Sequence, residues 1–231
     1  MRQPRHSTLW WKSIREARGF VEETFGRGSG SAKFTQKRST LYRAIRRDKA
    51  LEGEDFTVQD FEKHLPEILA QVWILGKKPR EALVYFRKGI WKTSIPIDQK
   101  ASLVHEIAHA AFERKKGVPI YRKQAAISEA AAYTVTLDYL LQESKKEFYS
   151  RMADFSRFQQ NPHLKDPNRV GAALAFEIFR LFPQREQRKQ VLNALLNYEY
   201  TSYPNALEWL KRFRKKAVSA SLTGKVVRKS I

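Results

Sequence analysis

The sequence predicts an α+β, mainly helical fold with a small antiparallel sheet. Two long alanine-rich segments, residues 98–116 and 122–149, are apolar enough to be helices packed inside a core. Ala82-Leu83-Val84-Tyr85-Phe86 and Ile90-Trp91-Lys92-Thr93-Ser94-Ile95 are β-prone runs either side of Arg87-Lys88-Gly89, the pattern of a hairpin. A chain of 231 residues with 42% hydrophobic content suffices for one such core, and no internal repeat divides it.

Taken in order, residues 7–25 read as a helix capped by Ser7 or Thr8, with Trp10, Trp11, Ile14, Phe20 and Val21 as its apolar positions. Gly26-Arg27-Gly28-Ser29-Gly30-Ser31 is a flexible break. A second helix covers about 38–50, and a third runs from Thr57, with Asp60 three residues on, to about Leu75, kinked or split by Pro66. The hairpin over 82–97 follows. Asp98 is placed to cap the next helix, which ends near Lys115-Lys116-Gly117, where Gly117 suits a C-cap and Pro119 a stop. After the helix over 122–149, Asn161–Pro167 is a loop, and three more helices fall near 167–182, 184–199 and 204–217. The chain thus divides into a basic helical region over 1–80, a core over 81–217 and a basic tail over 218–231.

His105-Glu106-Ile107-Ala108-His109 carries the chemistry. Histidines at i and i+4 project from one helix face, so two ring nitrogens can share one Zn²⁺ at about 2.0–2.1 Å. Glu106 sits beside them, where a general base for metal-activated water is needed. Catalytic zinc takes a third protein ligand. Glu129 is the acid in Gln124-Ala125-Ala126-Ile127-Ser128-Glu129-Ala130-Ala131-Ala132-Tyr133, and a turn after Gly117 brings that helix back antiparallel. The alanines around Glu129 let the two helices approach closely. Glu143, Glu147 and Glu177 are its rivals.

His105-Glu106-x-x-His109 followed by Glu129 resembles the gluzincin branch of the zincin metallopeptidases, at a spacing similar to that of thermolysin-like enzymes. The resemblance covers about the middle third of the chain. It implies a zincin-like core over 81–217, zinc ligands at His105, His109 and Glu129, and a catalytic base at Glu106. The predicted hairpin would be the family's upper sheet, whose edge strand aligns extended substrate by backbone hydrogen bonds. Ser128 and Tyr133 stand where that family has an asparagine and an aspartate, so the carboxylate that orients a histidine is not in its usual place. Metal-binding histidines need such a partner; Tyr133, Asp138 or a backbone carbonyl would have to serve. A carbonyl-polarising residue is expected downstream, with His163 first and Tyr198, Tyr200 and Tyr203 behind it. Metzincins need a third histidine where Lys115 stands.

Composition sets the remaining limits. There is no run of 18 apolar residues to span a membrane, and Met1–His6 lacks the apolar stretch of a signal peptide. The absence of cysteine excludes disulfides and thiolate metal sites and fits a cytoplasmic setting. No Gly-x-Ser-x-Gly, P-loop or catalytic cysteine offers other chemistry. The net charge of +20 gathers around Arg38, Arg43, Arg46, Arg47 and Lys49, and again around Lys211, Arg212, Arg214, Lys215 and Lys216. That balance favours polyanions, whether nucleic acid, an acidic protein or an anionic membrane surface, with a basic surface that only keeps the chain soluble as the alternative. The metallopeptidase motif adds a protein or peptide substrate, and nucleic acid would be held through phosphates without sequence preference.

Overall fold

A computed structural model describes residues 6–35, 70–75, 81–86, 96–116, 122–159 and 166–227. The fold is mainly helical with a small sheet. Seven helices are described: α1 (His6–Phe25), α2 (Ile97–Lys116), α3 (Arg122–Glu143), α4 (Lys145–Phe158), α5 (Pro167–Leu181), α6 (Arg185–Leu195) and α7 (Tyr203–Val227). Three strands, β1 (Lys33–Thr35), β2 (Ala70–Leu75) and β3 (Glu81–Phe86), form one sheet in the order β1-β3-β2.

The core lies where α2, α3 and α5 meet. In α2, Leu103, Val104, Ile107, Ala108, Ala111 and Phe112 are fully buried, and in α3 so are Ile127, Ala130, Ala131 and Val135. Helices buried on most sides need small residues where their backbones approach, and the alanines provide them. Ile14, Ala17, Phe20, Val21 and Phe25 line one face of α1 at helical spacing and enter the same core, with Phe25 edge-on to Phe112 at 6.1 Å. Trp11 lies off that face and is 49% exposed, unlike the apolar role expected of it.

The structure departs from the sequence reading at several elements. Residues 70–75, expected as the end of a helix, are strand β2, paired antiparallel with β3 so that Val72 faces Val84. β1 runs parallel to β3, with Phe34 opposite Val84, so the sheet is mixed rather than antiparallel throughout. Both edges of β3 are therefore taken. It is the central strand, and its antiparallel partner precedes it; residues 90–95 and the helix over 38–50 lie outside the described residues.

Three boundaries also move. The helix expected over 122–149 breaks at Ser144, whose Oγ accepts from the Glu147 amide at 3.4 Å and caps α4. Asp98 falls inside the first turn of α2, where the Pro96 carbonyl accepts from the Gln99 and Lys100 amides. α7 runs on to Val227, past the boundary at 217. α1 shares its core, and β1 and β2 share their sheet, with residues of the 81–217 segment, so packing crosses the boundary at residue 80. The Gly26–Ser31 segment is a turn with Gly26 and Gly28 at positive φ, fastened to α2 where Arg114 donates to the Gly28 and Ser31 carbonyls.

Candidate metal centre

α2 and α3 bring His105, His109 and Glu129 together. The two ring nitrogens Nε2 are 3.1 Å apart, and Glu129 Oε2 lies 3.3 Å from that of His105 and 3.4 Å from that of His109. Ligand atoms bonded tetrahedrally at about 2.0–2.1 Å stand about 3.3–3.4 Å from one another, so the three atoms fit around an ion of zinc's size. Two imidazoles and a carboxylate are also a donor set that zinc accepts. Glu106, half-buried and one residue after His105, is near enough that its charge acts on His109, Glu113 and Tyr133.

The outer ring nitrogens meet hydroxyls. His109 Nδ1 is 2.7 Å from Ser128 Oγ, which donates to Glu113 Oε1 at 3.2 Å. His105 Nδ1 makes a longer contact of 3.5 Å with Thr136 Oγ1. Thr136 gives its one proton to the Ala132 carbonyl at 2.8 Å, so toward His105 it accepts. These partners correct the expectation for this position. Asp138 is committed to Arg188 at 2.5 Å, and Tyr133 meets His105 through its ring, with centroids 4.5 Å apart.

Glu129 is held from a third side by α5. An added Cβ at Gly171 would lie 2.2 Å from Glu129 Cβ and 2.9 Å from the Ala130 amide nitrogen, so only glycine fits there. With its amide nitrogen turned toward the carboxylate, Asn168 donates to Glu129 Oε1 at 2.9 Å and Oε2 at 3.3 Å. Asn168, Gly171, Thr136 and the Glu113–Ser128 pair are absent from the sequence reading. Glu113 alone carried a signal, the i+4 spacing from His109 that puts it on the same face of α2.

Electrostatics follow from this packing. Burial opposes the charged form of His109, but Glu129, with Glu106 and Glu113 near it, holds its pKa up at about 9. Burial would raise Glu129, yet the two histidines hold it well below the usual carboxylate range. Glu113 is pushed up to about 7 by burial, against the pull of His109 and Ser128. Burial and then Glu129 raise Tyr133, which keeps its phenolic proton at neutral pH.

Among the described residues, the acid grouped with the two histidines is Glu129, not Glu143, Glu147 or Glu177. Glu177 accepts from Gln159 and from Arg180, at 2.6 Å in the second case. Glu143 is exposed, and the Glu147 amide donates to the Ser144 cap. Tyr198 packs against Trp209, Tyr200 donates its amide to Gln124, and Tyr203 is buried at the start of α7. His163 lies outside the described residues.

No family model matches the chain, and no curated protein or solved structure does. The resemblance to gluzincins therefore rests on the motif residues and Glu129.

Proposed function

We propose that this chain is a zinc-dependent endopeptidase with a zincin-like core. The supporting observation is the convergence of His105 Nε2, His109 Nε2 and Glu129 Oε2 to within 3.4 Å, with Glu106 beside them on α2. His105, His109 and Glu129 would hold the ion. Zinc in such a site supplies Lewis-acid activation of water and of a carbonyl. Glu106 takes the proton of the attacking water and passes it to the leaving amine, a role worth about 10²–10⁴-fold in rate. Tyr133 keeps its proton beside His105 and closes that side with apolar ring surface. A cytoplasmic setting belongs to the same proposal, resting on the cysteine-free sequence; no helix among the described residues is long and apolar enough to cross a membrane.

A second reading is a nucleic-acid-binding protein whose metal site is structural. It is favoured by the net charge of +20 and by the exposure of Lys211, Arg212, Arg214 and Lys216 along α7. The Arg38–Lys49 cluster lies outside the described residues.

Glu106→Gln separates the two. Cleavage of a mixture of unstructured peptides should fall about 10²–10⁴-fold while zinc content stays unchanged. Wild-type protein that binds zinc but cleaves nothing, and binds single- or double-stranded nucleic acid with a steep salt dependence, favours the second reading.

A further inference from the structure

We propose that Glu113 and Ser128 form a positioning relay that fixes His109 as a metal ligand through Nε2. The proposal rests on the metal-centre reading above and deepens it. Ser128 is 2% exposed, so its hydroxyl has no water to turn to, and it has one proton to give. That proton goes to Glu113 Oε1 at 3.2 Å, leaving the oxygen to accept at its other contact, His109 Nδ1 at 2.7 Å. The chain of donors therefore runs from the ring through the hydroxyl to the carboxylate, and Nδ1 carries a hydrogen.

The consequence lies on the other side of the ring. With Nδ1 protonated, the Nε2 lone pair of His109 faces Glu129 Oε2 and the His105 Nε2. Thr136, an acceptor 3.5 Å from His105 Nδ1, favours the same tautomer there. Two lone pairs and a carboxylate oxygen within 3.4 Å repel one another unless a cation, either a proton or a metal ion, stands among them. The relay thus directs ligand atoms inward and donors outward. A serine alone could rotate and reverse the bond; an ionised Glu113, which can only accept, removes that choice.

Placement explains how the sequence accomplishes this. Glu113 is four residues after His109, on the same face of α2, and Ser128 immediately precedes Glu129 on α3. One step of α3 therefore supplies both the ligand and the group that orients another ligand. The carboxylate expected beyond Glu129 on α3 is replaced by one from the motif helix, acting through a hydroxyl. Glu113 does not touch the metal position and is a positioning residue.

The test uses the full chain and Zn²⁺ alone, titrated in competition with a chromophoric chelator. Ser128→Ala and Glu113→Leu should each weaken Zn²⁺ binding about 10–100-fold. Glu113→Gln, which keeps an acceptor oxygen, should restore part of that loss, with thermal unfolding reporting that each variant is folded. Long-range ¹H–¹⁵N spectra of the zinc-loaded wild type should show a hydrogen on His109 Nδ1, a readout that survives even if a variant fails to fold. Unchanged affinity in both variants, or a hydrogen on Nε2 with the metal at Nδ1, overturns the relay alone. A wild-type chain that binds no Zn²⁺ overturns the metal centre and the relay with it.

Discussion

Glu129 and Asp138 both lie on α3 and both turn toward basic groups in the protein interior, yet their surroundings differ in kind. Asp138 Oδ1 takes two hydrogen bonds from Arg188, at 3.0 and 2.5 Å. Arg188 gives two more to the Phe182 and Pro183 carbonyls and lies over the Phe179 ring at 4.1 Å. Burial pushes the Asp138 carboxyl up and Arg188 pulls it back, a closed pair whose charges have no further use. Around Glu129 the donors stand on the outside, at Asn168, while two ring nitrogens face the carboxylate from within. One region is saturated by protein groups. The other gathers three ligand atoms, from His105, His109 and Glu129, that could hold a metal ion.

The comparison breaks most sharply at Arg188. Arg188→Ala should lower stability by about 3–5 kcal/mol, because it leaves Asp138 buried without its partner. Zinc affinity of the fraction that remains folded should hardly change, since neither residue touches the cluster. Denaturant unfolding beside a zinc titration checks both halves, and a large loss of affinity with small loss of stability would show that the two regions are coupled.

Gly171→Ala should act on both properties. Its methyl would meet the Glu129 Cβ and the Ala130 backbone, which cannot step aside as a side-chain tip could. Overpacking costs about 1–3 kcal/mol and alanine's helix propensity returns about 1, so a net loss of up to about 2 kcal/mol is expected. Displacing Glu129 should also weaken zinc binding, which the same titration measures.

Asn168→Ala is the mildest change. It removes a donor from an exposed position on Glu129's outer side, and zinc affinity should fall by less than about tenfold with almost no change in thermal midpoint. A loss as large as that of Ser128→Ala would mean that α5 governs the geometry of the centre as strongly as the Glu113–Ser128 pair does.

Much of the centre was legible because helices have a fixed period. His105 and His109 at i and i+4 had to share a face, and the alanines around Glu129 announced a close helix approach. The hydroxyl partners were not legible in the same way. Ser128 registered only as a departure from a family pattern, and Thr136 reaches His105 through the packing of α3 on α2, which no local spacing encodes. Asn168 and Gly171 come from a helix distant in sequence.

The fold shows the same division. α1, α2 and α5 follow from apolar spacing and appear within a residue or two of their expected limits. Residues 70–75 continue an apolar run that reads as the end of a helix, although Val72-Trp73-Ile74 is β-prone and Gly76 and Pro79 stand between it and 81–86. Pairing with β3 decided the outcome. The break at Ser144 had a signal too, since Ser144-x-x-Glu147 is the signature of a helix start.

Metal content decides whether the cluster on α2 and α3 is a metal site. Protein prepared without chelator or a nickel-binding tag should carry about one zinc per chain by elemental analysis, as one three-ligand site requires. The double variant His105→Ala/His109→Ala should carry none while keeping its helical spectrum. Zinc-free wild-type protein that also takes up none when it is supplied would contradict the account, and so would stoichiometric zinc persisting in the double variant.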